Sequence, residues 1–255
     1  CLAADSLGNI WIGYYGTGLD KFDHVTGRFT HYRHDPKDEA SLSSDIVSAV
    51  LVDHLGNVWV GSDGGLDLLD QKTGKFKHYV YNENDPTSLS HYVVRDIYED
   101  RAGELWLGTG FFVAPNIGGL NRFHRDTETF TRYLSDPANP KTLIDNRVEA
   151  IFEDSQGIFW VGTNGDGLHT LDRKTGFFKR LTYDPMRPEQ LSRPPLIDNI
   201  DHITFIAEAS DKSIWIGTWK NGLTQYDPLS KTITRYGHLE DKAKTLNGGG
   251  TWCAH

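Results

Sequence analysis

Residues 57–70 read NVWVGSDGGLDLLD, and four related stretches occur elsewhere in the chain. They are NIWIGYYGTGLDKFD at 9–23, ELWLGTGFFVAPNIGGLNRFH at 104–124, IFWVGTNGDGLHTLD at 158–172 and SIWIGTWKNGLTQYD at 213–227. Every copy contains Trp-aliphatic-Gly followed by Gly-Leu, whereas the residues between these two elements differ in type and number. Self-similarity on this scale indicates a repeat architecture.

The repeat length follows from the five tryptophans, which are 48, 47, 54 and 55 residues apart. That range is typical of repeats in which each unit is one four-stranded antiparallel blade of a β-propeller. Short runs of β-branched and aromatic residues, separated by turns rich in Gly, Asp and Asn, predict an all-β chain with few helices. A single blade cannot bury both faces of its sheet, so we expect the aromatic residues to pack between blades. The tryptophans are Trp11, Trp59, Trp106, Trp160 and Trp215.

The links between repeats carry a second pattern, as in NDPTSLSH at 84–91. Asp-Pro favours a turn, and the leucine that follows it is expected to anchor the link to the sheet by burying its side chain. The glycine two residues after each tryptophan is expected to permit either a close backbone approach or a bulge. The link leucines are Leu42, Leu89, Leu143, Leu191 and Leu246.

Alignment on the tryptophans places Cys1 and Cys253 at equivalent positions within a first strand. Two arrangements are open: the tail closes a five-bladed ring, or these repeats belong to a larger ring. A sixth repeat starts at Thr251, so we expect the larger ring. The expected extents are one β-propeller region at 1–255, approximate blades at 1–45, 46–92, 93–146, 147–201 and 202–250, and a further strand starting at 251–255.

Composition excludes several classes of protein. The formal net charge of −9 argues against nucleic acid as a partner, because binding phosphates requires a basic surface. Two cysteines cannot form a disulfide scaffold, and no apolar run is long enough for a membrane-spanning helix. No metal-ligand spacing or catalytic motif is present, so we expect no cofactor and no metal site.

The full pattern, E-D-x-x-G-x-L-W-x-G-T followed by G-L-x-x-F-D-x-x-T-G-x-F-x-x-Y-x-x-D-P-x-x-P-x-S-L-S, resembles the two-component regulator propeller repeat. The resemblance covers essentially the whole chain. The residues that match well are Tyr98 to Asp100, Leu105 to Thr109, Gly119-Leu120, Asp85-Pro86 and Ser88 to Ser90. Departures fall in turns and in the fifth link, which lacks Asp-Pro; they are His124, Thr127-Glu128 and Ala209.

This resemblance implies a seven-bladed propeller, often one of two in tandem, in the extracytoplasmic sensor region of a hybrid two-component histidine kinase. Such a region is periplasmic and signals to a phosphorelay, often in response to glycan breakdown products. The kinase would lie outside this chain, so we expect this region to be non-catalytic. The implied partners are an oligosaccharide or small-molecule ligand, other blades or a tandem propeller of the same protein, and a second copy in a homodimer.

Strand direction alternates within a blade, so the loops between second and third strands emerge on the same face as the links between blades. We call this the loop face, and function tends to lie on such irregular loops. Aromatic rings beside Asp and Asn suit sugars, because rings stack on apolar sugar faces while polar groups bind hydroxyls. An alternative for Phe111 and Phe112 is that they pin their own loop. The predicted ligand-binding residues are Tyr15, Asp63, Tyr92, Phe111, Phe112, Asn146, Asn164, Asp201, Trp219 and Lys220.

Two other functions stay open. The first is a stand-alone propeller enzyme of streptogramin-lyase type, for which His91 and His202 are the candidate bases near the strand entrances. The second is a protein-interaction propeller that uses charged outer strands. The charged residues of those strands include Arg28, Lys75, Lys77, Arg132, Lys179 and Arg180.

Overall fold

The computed structural model describes residues 1–111, 117–165, 167–181, 186, 191, 202–220, 222–237 and 251. Within these residues the chain forms β-strands and no helix, which confirms the predicted all-β class. The strands make five four-stranded antiparallel sheets, each built from consecutive strands in sequence order. The chain divides into two compact units, Cys1–Arg132 and Tyr133–His255.

The first unit carries sheets 1, 2 and 3. Sheet 1 consists of β1 Leu2–Ala4, β2 Ile10–Gly13, β3 Leu19–Asp23 and β4 Arg28–Tyr32. Sheet 2 consists of β5 Val47–Val52, β6 Val58–Ser62, β7 Gly65–Asp70 and β8 Lys75–Tyr79. Sheet 3 consists of β9 Val94–Glu99, β10 Leu105–Gly110, β11 Gly118–His124 and β12 Thr129–Tyr133, whose last residue opens the second unit.

The second unit carries sheets 4 and 5. Sheet 4 consists of β13 Val148–Glu153, β14 Phe159–Thr163, β15 Leu168–Asp172 and β16 Phe177–Arg180. Sheet 5 consists of β17 Ile203–Glu208, β18 Ile214–Thr218, β19 Leu223–Asp227 and β20 Thr232–Tyr236.

The turn from the first to the second strand is organised by an aspartate. In sheet 2, Asp53 Oδ1 accepts the backbone N–H groups of Leu55 and Asn57, and Oδ2 accepts the indole N–H of Trp59 at 2.8 Å. In sheet 5 Ala209 replaces the aspartate, and Trp215 donates instead to Ser213 Oγ at 3.0 Å. The same indole-to-carboxylate bond joins Trp11 to Asp5, Trp106 to Asp100 and Trp160 to Asp154.

The glycine of Trp-aliphatic-Gly is required by contact with the following sheet. A Cβ placed on Gly61 would lie 2.7 Å from Val94 Cγ1, and one on Gly162 would lie 2.6 Å from Ile203 Cγ2. In sheet 2 the pairing register also shifts between Val47 and Ala49, opposite this glycine. Both expected features, the close approach and the bulge, therefore occur at one position.

Apolar side chains pack between successive sheets within each unit. Leu42 lies with Trp11 and Phe76 in one buried cluster, and Leu89 lies with Trp59 in the next. The predicted burial of the link leucines is confirmed for Leu42, Leu89 and Leu143, which are fully buried. Leu191 is half-buried, and Leu246 lies outside the described residues.

Each of the three links before sheets 2, 3 and 4 pairs with the outer strand of the sheet that follows it. The N–H of Phe76 donates to Ala40 O at 2.8 Å, and that of Phe130 donates to Thr87 O at 2.7 Å. Charged residues add hydrogen bonds to this pairing of link and outer strand, since Arg132 Nε–H donates to Ser88 O at 2.7 Å. Arg180 Nε–H makes the matching bond to Thr142 O. Each of these arginines binds the link that precedes its own sheet. The protein-interaction alternative would instead have these charged groups face solvent, where a partner protein could bind them.

Candidate functional site

One backbone position recurs at the loop face of sheets 2 to 5. The residue four positions after the repeat tryptophan, which we call the loop position, donates its N–H to the carbonyl just before the first strand of its own sheet. The side chain at this position changes from sheet to sheet while the hydrogen bond stays the same. The fold therefore fixes the backbone at the loop position and allows the side chain to vary. The bonds are Asp63 to Ile46 at 3.1 Å, Gly110 to Val93 at 3.0 Å, Asn164 to Arg147 at 3.0 Å and Trp219 to His202 at 3.1 Å.

Tyr15 takes the loop position of sheet 1. It forms an isolated antiparallel bridge with Ile46, and the N–H of Val47 donates to the carbonyl of its neighbour Tyr14 at 2.9 Å. The loop of sheet 1 is thereby attached to the entrance of sheet 2. The Tyr15 side chain is exposed, and its contact with a ligand stays a prediction.

Asp63 is a half-buried acid of the first unit. Its Oδ1 is buried and has no hydrogen-bond partner among the described residues. Burial raises the pKa of Asp63, and the nearby positive charge of Arg95 opposes that rise without cancelling it. A carboxylate oxygen that is shielded from water and lacks a donor is suited to accept a hydrogen bond from a ligand hydroxyl.

Arg95 is a residue that the sequence prediction missed. It is the second residue of β9, and its Nη1–H donates to Ser48 Oγ, the second residue of β5, at 3.2 Å. A signal was available, because this strand position varies strongly between repeats while the residue before it stays apolar. The residues at this position are Ser48, Arg95, Glu149 and Thr204.

His91 and Tyr92 form a stacked pair at the entrance of sheet 3. Their ring centroids are 4.1 Å apart, with His91 buried and Tyr92 exposed. His91 Nδ1 accepts the N–H of Val93 at 3.1 Å, so the proton of the neutral ring is on Nε2, which is buried and without a partner in the described part of the chain. Burial lowers the pKa of His91. At the equivalent positions, Ser44 Oγ accepts the N–H of Ile46, and Asp145 Oδ1 accepts the N–H of Arg147. His91 therefore has the same structural role, as the cap of the strand entrance.

In the second unit the loop position of sheet 5 is Trp219. Its half-buried ring lies 4.8 Å from the ring of His202, with 38° between the planes. The exposed Lys220 places its Nζ 5.8 Å from the centroid of the Trp219 ring. This arrangement offers a flat apolar surface with a hydrogen-bond donor beside it.

The two predicted asparagines of the second unit make internal hydrogen bonds. Asn146 Oδ1 accepts the N–H of Ser135 at 2.6 Å, as Asp45 Oδ1 does for His34 in the first unit. Asn164 is buried, and its Oδ1 accepts the N–H of Gly165 at 2.7 Å. Their amide oxygens therefore support the links and loops, a use that residue type alone did not indicate.

The remaining candidates lie at the insertion of sheet 3 and before sheet 5. Phe111 is half-buried at the start of that insertion. Phe112 and Asp201 lie outside the described residues, so their assignment to the loop face stays a prediction. Across the described ranges, no three His, Cys, Asp or Glu side chains are grouped so that they could hold a metal ion. The described part of the chain also has no helix that is long and apolar enough to cross a membrane.

Comparison with known families finds matches in three stretches of the chain. The two-component regulator propeller model matches residues 41–64, 88–111 and 142–165. Each match begins beside a link leucine, runs through the first and second strands, and ends beside the loop position. No curated protein sequence matches this chain.

Solved structures of low sequence identity share the fold. The extracellular domain of the proposed hybrid two component system BT3049 from B. thetaiotaomicron is 24% identical with a TM-score of 0.73, over 98% of this chain and 29% of that one. The corresponding domain of BT4673 is 18% identical with a TM-score of 0.63, over 99% of this chain and 35% of that one. Virginiamycin B lyase from Staphylococcus aureus is 16% identical with a TM-score of 0.61, over 95% of this chain and 71% of that one. The predicted β-propeller fold is confirmed.

Proposed function

This chain carries two-component regulator propeller repeats, and from that premise we propose that it is the ligand-sensing propeller region of a hybrid two-component system. The ligand is an oligosaccharide that binds on the loop face and is not turned over. The likeness to two extracellular sensor domains supports this function and an extracytoplasmic, periplasmic location.

The recurrent hydrogen bond at the loop position is the observation that carries the proposal. It keeps the backbone constant from sheet 2 to sheet 5, while the side chain is a carboxylate, a hydrogen atom, a carboxamide or an indole. Where the fold depends on the backbone hydrogen bond of a residue and not on its side chain, the side chain can change, and with it the ligand that is recognised, without loss of stability.

The chemistry at these positions suits a sugar in each unit separately. In the second unit, the Trp219 ring supplies a surface for the apolar face of a pyranose, and Lys220 supplies a donor for a hydroxyl or carboxylate. In the first unit, Asp63 Oδ1 supplies an acceptor for which the described residues provide no donor. Ligand hydroxyls would satisfy it, since an unpaired buried acceptor costs about 1–3 kcal/mol.

The state of His91 favours binding over catalysis. Its Nδ1 is engaged by the N–H of Val93 and its Nε2 is buried, so neither nitrogen is presented to a substrate as a base. Because a lyase shares the fold, turnover of a lactone or glycan is the outcome that would favour the enzyme alternative.

The test is a screen of plant and host oligosaccharides by calorimetry on the full chain, followed by Trp219→Ala. We expect loss of a stacking contact to weaken binding roughly tenfold or more. Phe177→Ala is the matched control, because Phe177 is an exposed ring of the same unit with Lys141 Nζ 4.5 Å from its centroid, on an outer strand. Equal effects of the two variants, or turnover of the bound glycan, would count against the proposal.

A further inference from the structure

A cleft lies between sheets 4 and 5 of the second unit, beside the buried acid Asp154. Its volume is about 530 Å³, and residues of both sheets form its wall. The wall includes the turn between β13 and β14 and the turn between β19 and β20. Both turns are at the opposite end of the sheets from the loop face, so the cleft is separate from the proposed oligosaccharide site. The lining includes Asp154, Trp160, Lys179, Leu181, Tyr226 and Pro228.

The equivalent place between sheets 2 and 3 is filled by Arg125. Its guanidinium donates to Asp53 Oδ2 at 2.8 Å and to Glu99 Oε1 at 2.9 Å. Its Cζ also lies 5.9 Å from the centroid of the Trp59 ring. The repeat itself therefore shows which chemical group suits this kind of space, namely a planar cation held by acids and by an indole face.

Sheets 4 and 5 retain the acid and the indole without the arginine. The indole N–H of Trp160 donates to Asp154 Oδ2 at 2.8 Å, as in sheet 2. By strand register, Pro228 takes the position that Arg125 has in sheet 3. Proline has neither the length nor the charge to reach the acid, so the place of the guanidinium is not taken by this residue.

The cleft has room for a ligand because smaller side chains replace a set of packed rings. Between sheets 2 and 3, the Tyr79 ring lies 5.1 Å from that of Phe123 and 6.2 Å from that of Phe130. A leucine and an isoleucine replace two of these rings in the second unit, and together they fill less volume. The corresponding residues are Leu181, Tyr226 and Ile233.

Asp154 has fewer donors than its counterpart Asp53, although both are buried. Asp53 Oδ2 accepts three side-chain N–H groups. Asp154 Oδ2 accepts the indole N–H of Trp160 alone among the described residues. The second acid of the arrangement, Glu208, already accepts two hydrogen bonds from Ser155. Asp154 is therefore the buried carboxylate with capacity left for a cation.

The rim of the cleft carries a positive charge that determines what else a ligand must contain. In sheet 2, Lys77 pairs with Glu128 of sheet 3. The corresponding residues of sheets 4 and 5 are Lys179 and Lys231, so Lys179 is exposed and has no ion-pair partner in the described part of the chain. Lys179 would repel a ligand that carries only a cation, whereas a carboxylate on the same ligand would pair with it.

We propose that this cleft binds an arginine that bears a carboxylate, either the free amino acid or the C-terminal residue of a peptide. The guanidinium donates to Asp154 Oδ2 and lies against the indole of Trp160, as Arg125 does for its own acid and indole. Lys179 pairs with the carboxylate. The site uses nothing from the loop face, so the oligosaccharide proposal and this one can fail independently.

The first test is a ligand-observed NMR titration of the full chain with three compounds. Arginine should bind about tenfold or more tightly than citrulline, which has the same shape without the charge. It should also bind more tightly than agmatine, which lacks the carboxylate. Tighter binding of Ala-Ala-Arg than of arginine would assign a peptide as the source, and equal binding would assign the amino acid. Equal binding of arginine and citrulline would overturn the proposal.

Variants test the assignment of each group. Pro228→Arg should restore the arrangement of sheet 3, raise the thermal midpoint and abolish arginine binding, and it should raise nothing in an Asp154→Asn background. Lys179→Met should remove the preference for arginine over agmatine, whereas Trp219→Ala on the loop face should leave it unchanged. Arginine binding that survives Pro228→Arg, or a preference that survives Lys179→Met, would overturn the proposal.

A last variant tests whether the chain supplies its own arginine. The link before sheet 5 contains Arg187 and Arg193, which lie outside the described residues. Arginine should bind equally to the parent chain and to the chain with both residues changed to Gln. Binding that appears only after these two changes would show that the link takes the site, and it would overturn the proposal of an external ligand.

Discussion

The indole N–H of Trp59 and the guanidinium of Arg125 share one carboxylate oxygen, Asp53 Oδ2, each at 2.8 Å. Asp53 itself is buried, and its other oxygen organises the turn that leads into the tryptophan strand. One acid therefore connects the turn, the interior of sheet 2 and a side chain from sheet 3, which explains why the motif contains both Asp and Trp.

Replacing that acid should destabilise the first unit. We expect Asp53→Ala to lower the free energy of unfolding by about 3–5 kcal/mol, because it leaves a buried indole N–H and a guanidinium without their acceptor. Urea unfolding followed by tryptophan fluorescence measures the loss. Asp23→Ala is the control, since Asp23 caps an exposed turn and its loss should destabilise the chain much less. Equal losses in the two variants would contradict a central role for Asp53.

The same contact makes stability depend on pH. Burial acts to raise the pKa of Asp53, but hydrogen bonds from Asn57, Trp59 and Arg125 outweigh it, so the pKa in the folded state is lowered from 3.8. The unfolded state then binds the proton more tightly, and the stabilisation present above pH 4 is lost as the pH falls through the folded-state pKa. Acid titration of Asp53→Ala should show a shallower loss of stability below pH 4 than the parent chain.

His169 should produce a second pH dependence at a higher pH. It is fully buried, and burial lowers its pKa from 6.5 to about 4. Its Nε2 accepts the N–H of Ile144 at 3.0 Å, which requires that nitrogen to be unprotonated. Because the unfolded state takes up the proton first, stability should fall between pH 6.5 and 4, by roughly 3 kcal/mol in total.

The measurement is the unfolding free energy of the parent chain and of His169→Gln at several pH values between 4 and 7. We expect the variant to be less stable at pH 7 and to have a flatter profile. His78→Gln is the informative control, because the pKa of His78 is raised and its contribution is lost as pH rises rather than as it falls. A profile of His169→Gln parallel to that of the parent would contradict the assignment.

Packing at the repeat glycine predicts a large effect from one methyl group. Gly61→Ala should destabilise by about 1–3 kcal/mol, because its Cβ would lie 2.7 Å from Val94 Cγ1 within a filled core. Gly237→Ala provides the control, since a Cβ there meets no atom of the described residues within 4 Å. Thermal unfolding of the two variants compares them directly, and equal midpoints would show that this contact can relax.

Asp63 should show opposite effects on stability and binding. Asp63→Asn removes a carboxylate whose Oδ1 is buried and unpartnered among the described residues, so we expect the ligand-free chain to keep its stability or gain up to about 1 kcal/mol. The same change should weaken binding of an oligosaccharide found by the screen by roughly tenfold. Differential scanning fluorimetry and calorimetry measure the two effects, and a loss of stability with intact binding would indicate a structural role.

The periodicity of the sequence was sufficient to predict most of the fold. The Trp-aliphatic-Gly and Gly-Leu elements predicted the all-β propeller fold, because those residues meet requirements that repeat in every blade. Link leucines such as Leu42 were predicted for the same reason. The blade limits and the number of blades in the ring stay predictions.

The loop face was predicted less completely. Tyr15 and Tyr92 are exposed and their role in binding stays a prediction, whereas the amide oxygens of Asn146 and Asn164 accept hydrogen bonds from the backbone of the chain itself. Polar residues in loops serve ligands or local backbone equally well, and only the positions of neighbouring N–H groups separate the two uses.

The sequence by itself determined where the strands lie, which residues fill the core and where the chain varies, since these depend on local chemistry repeated at a regular spacing. Only the tertiary structure decided that Asp63, near Arg95, has an oxygen without a partner in the described part of the chain, and that His91 is a buried neutral cap. The physical reason is that hydrogen-bond satisfaction and burial are properties of neighbours brought together from different repeats, and residues of one type at one repeat position acquire different neighbours.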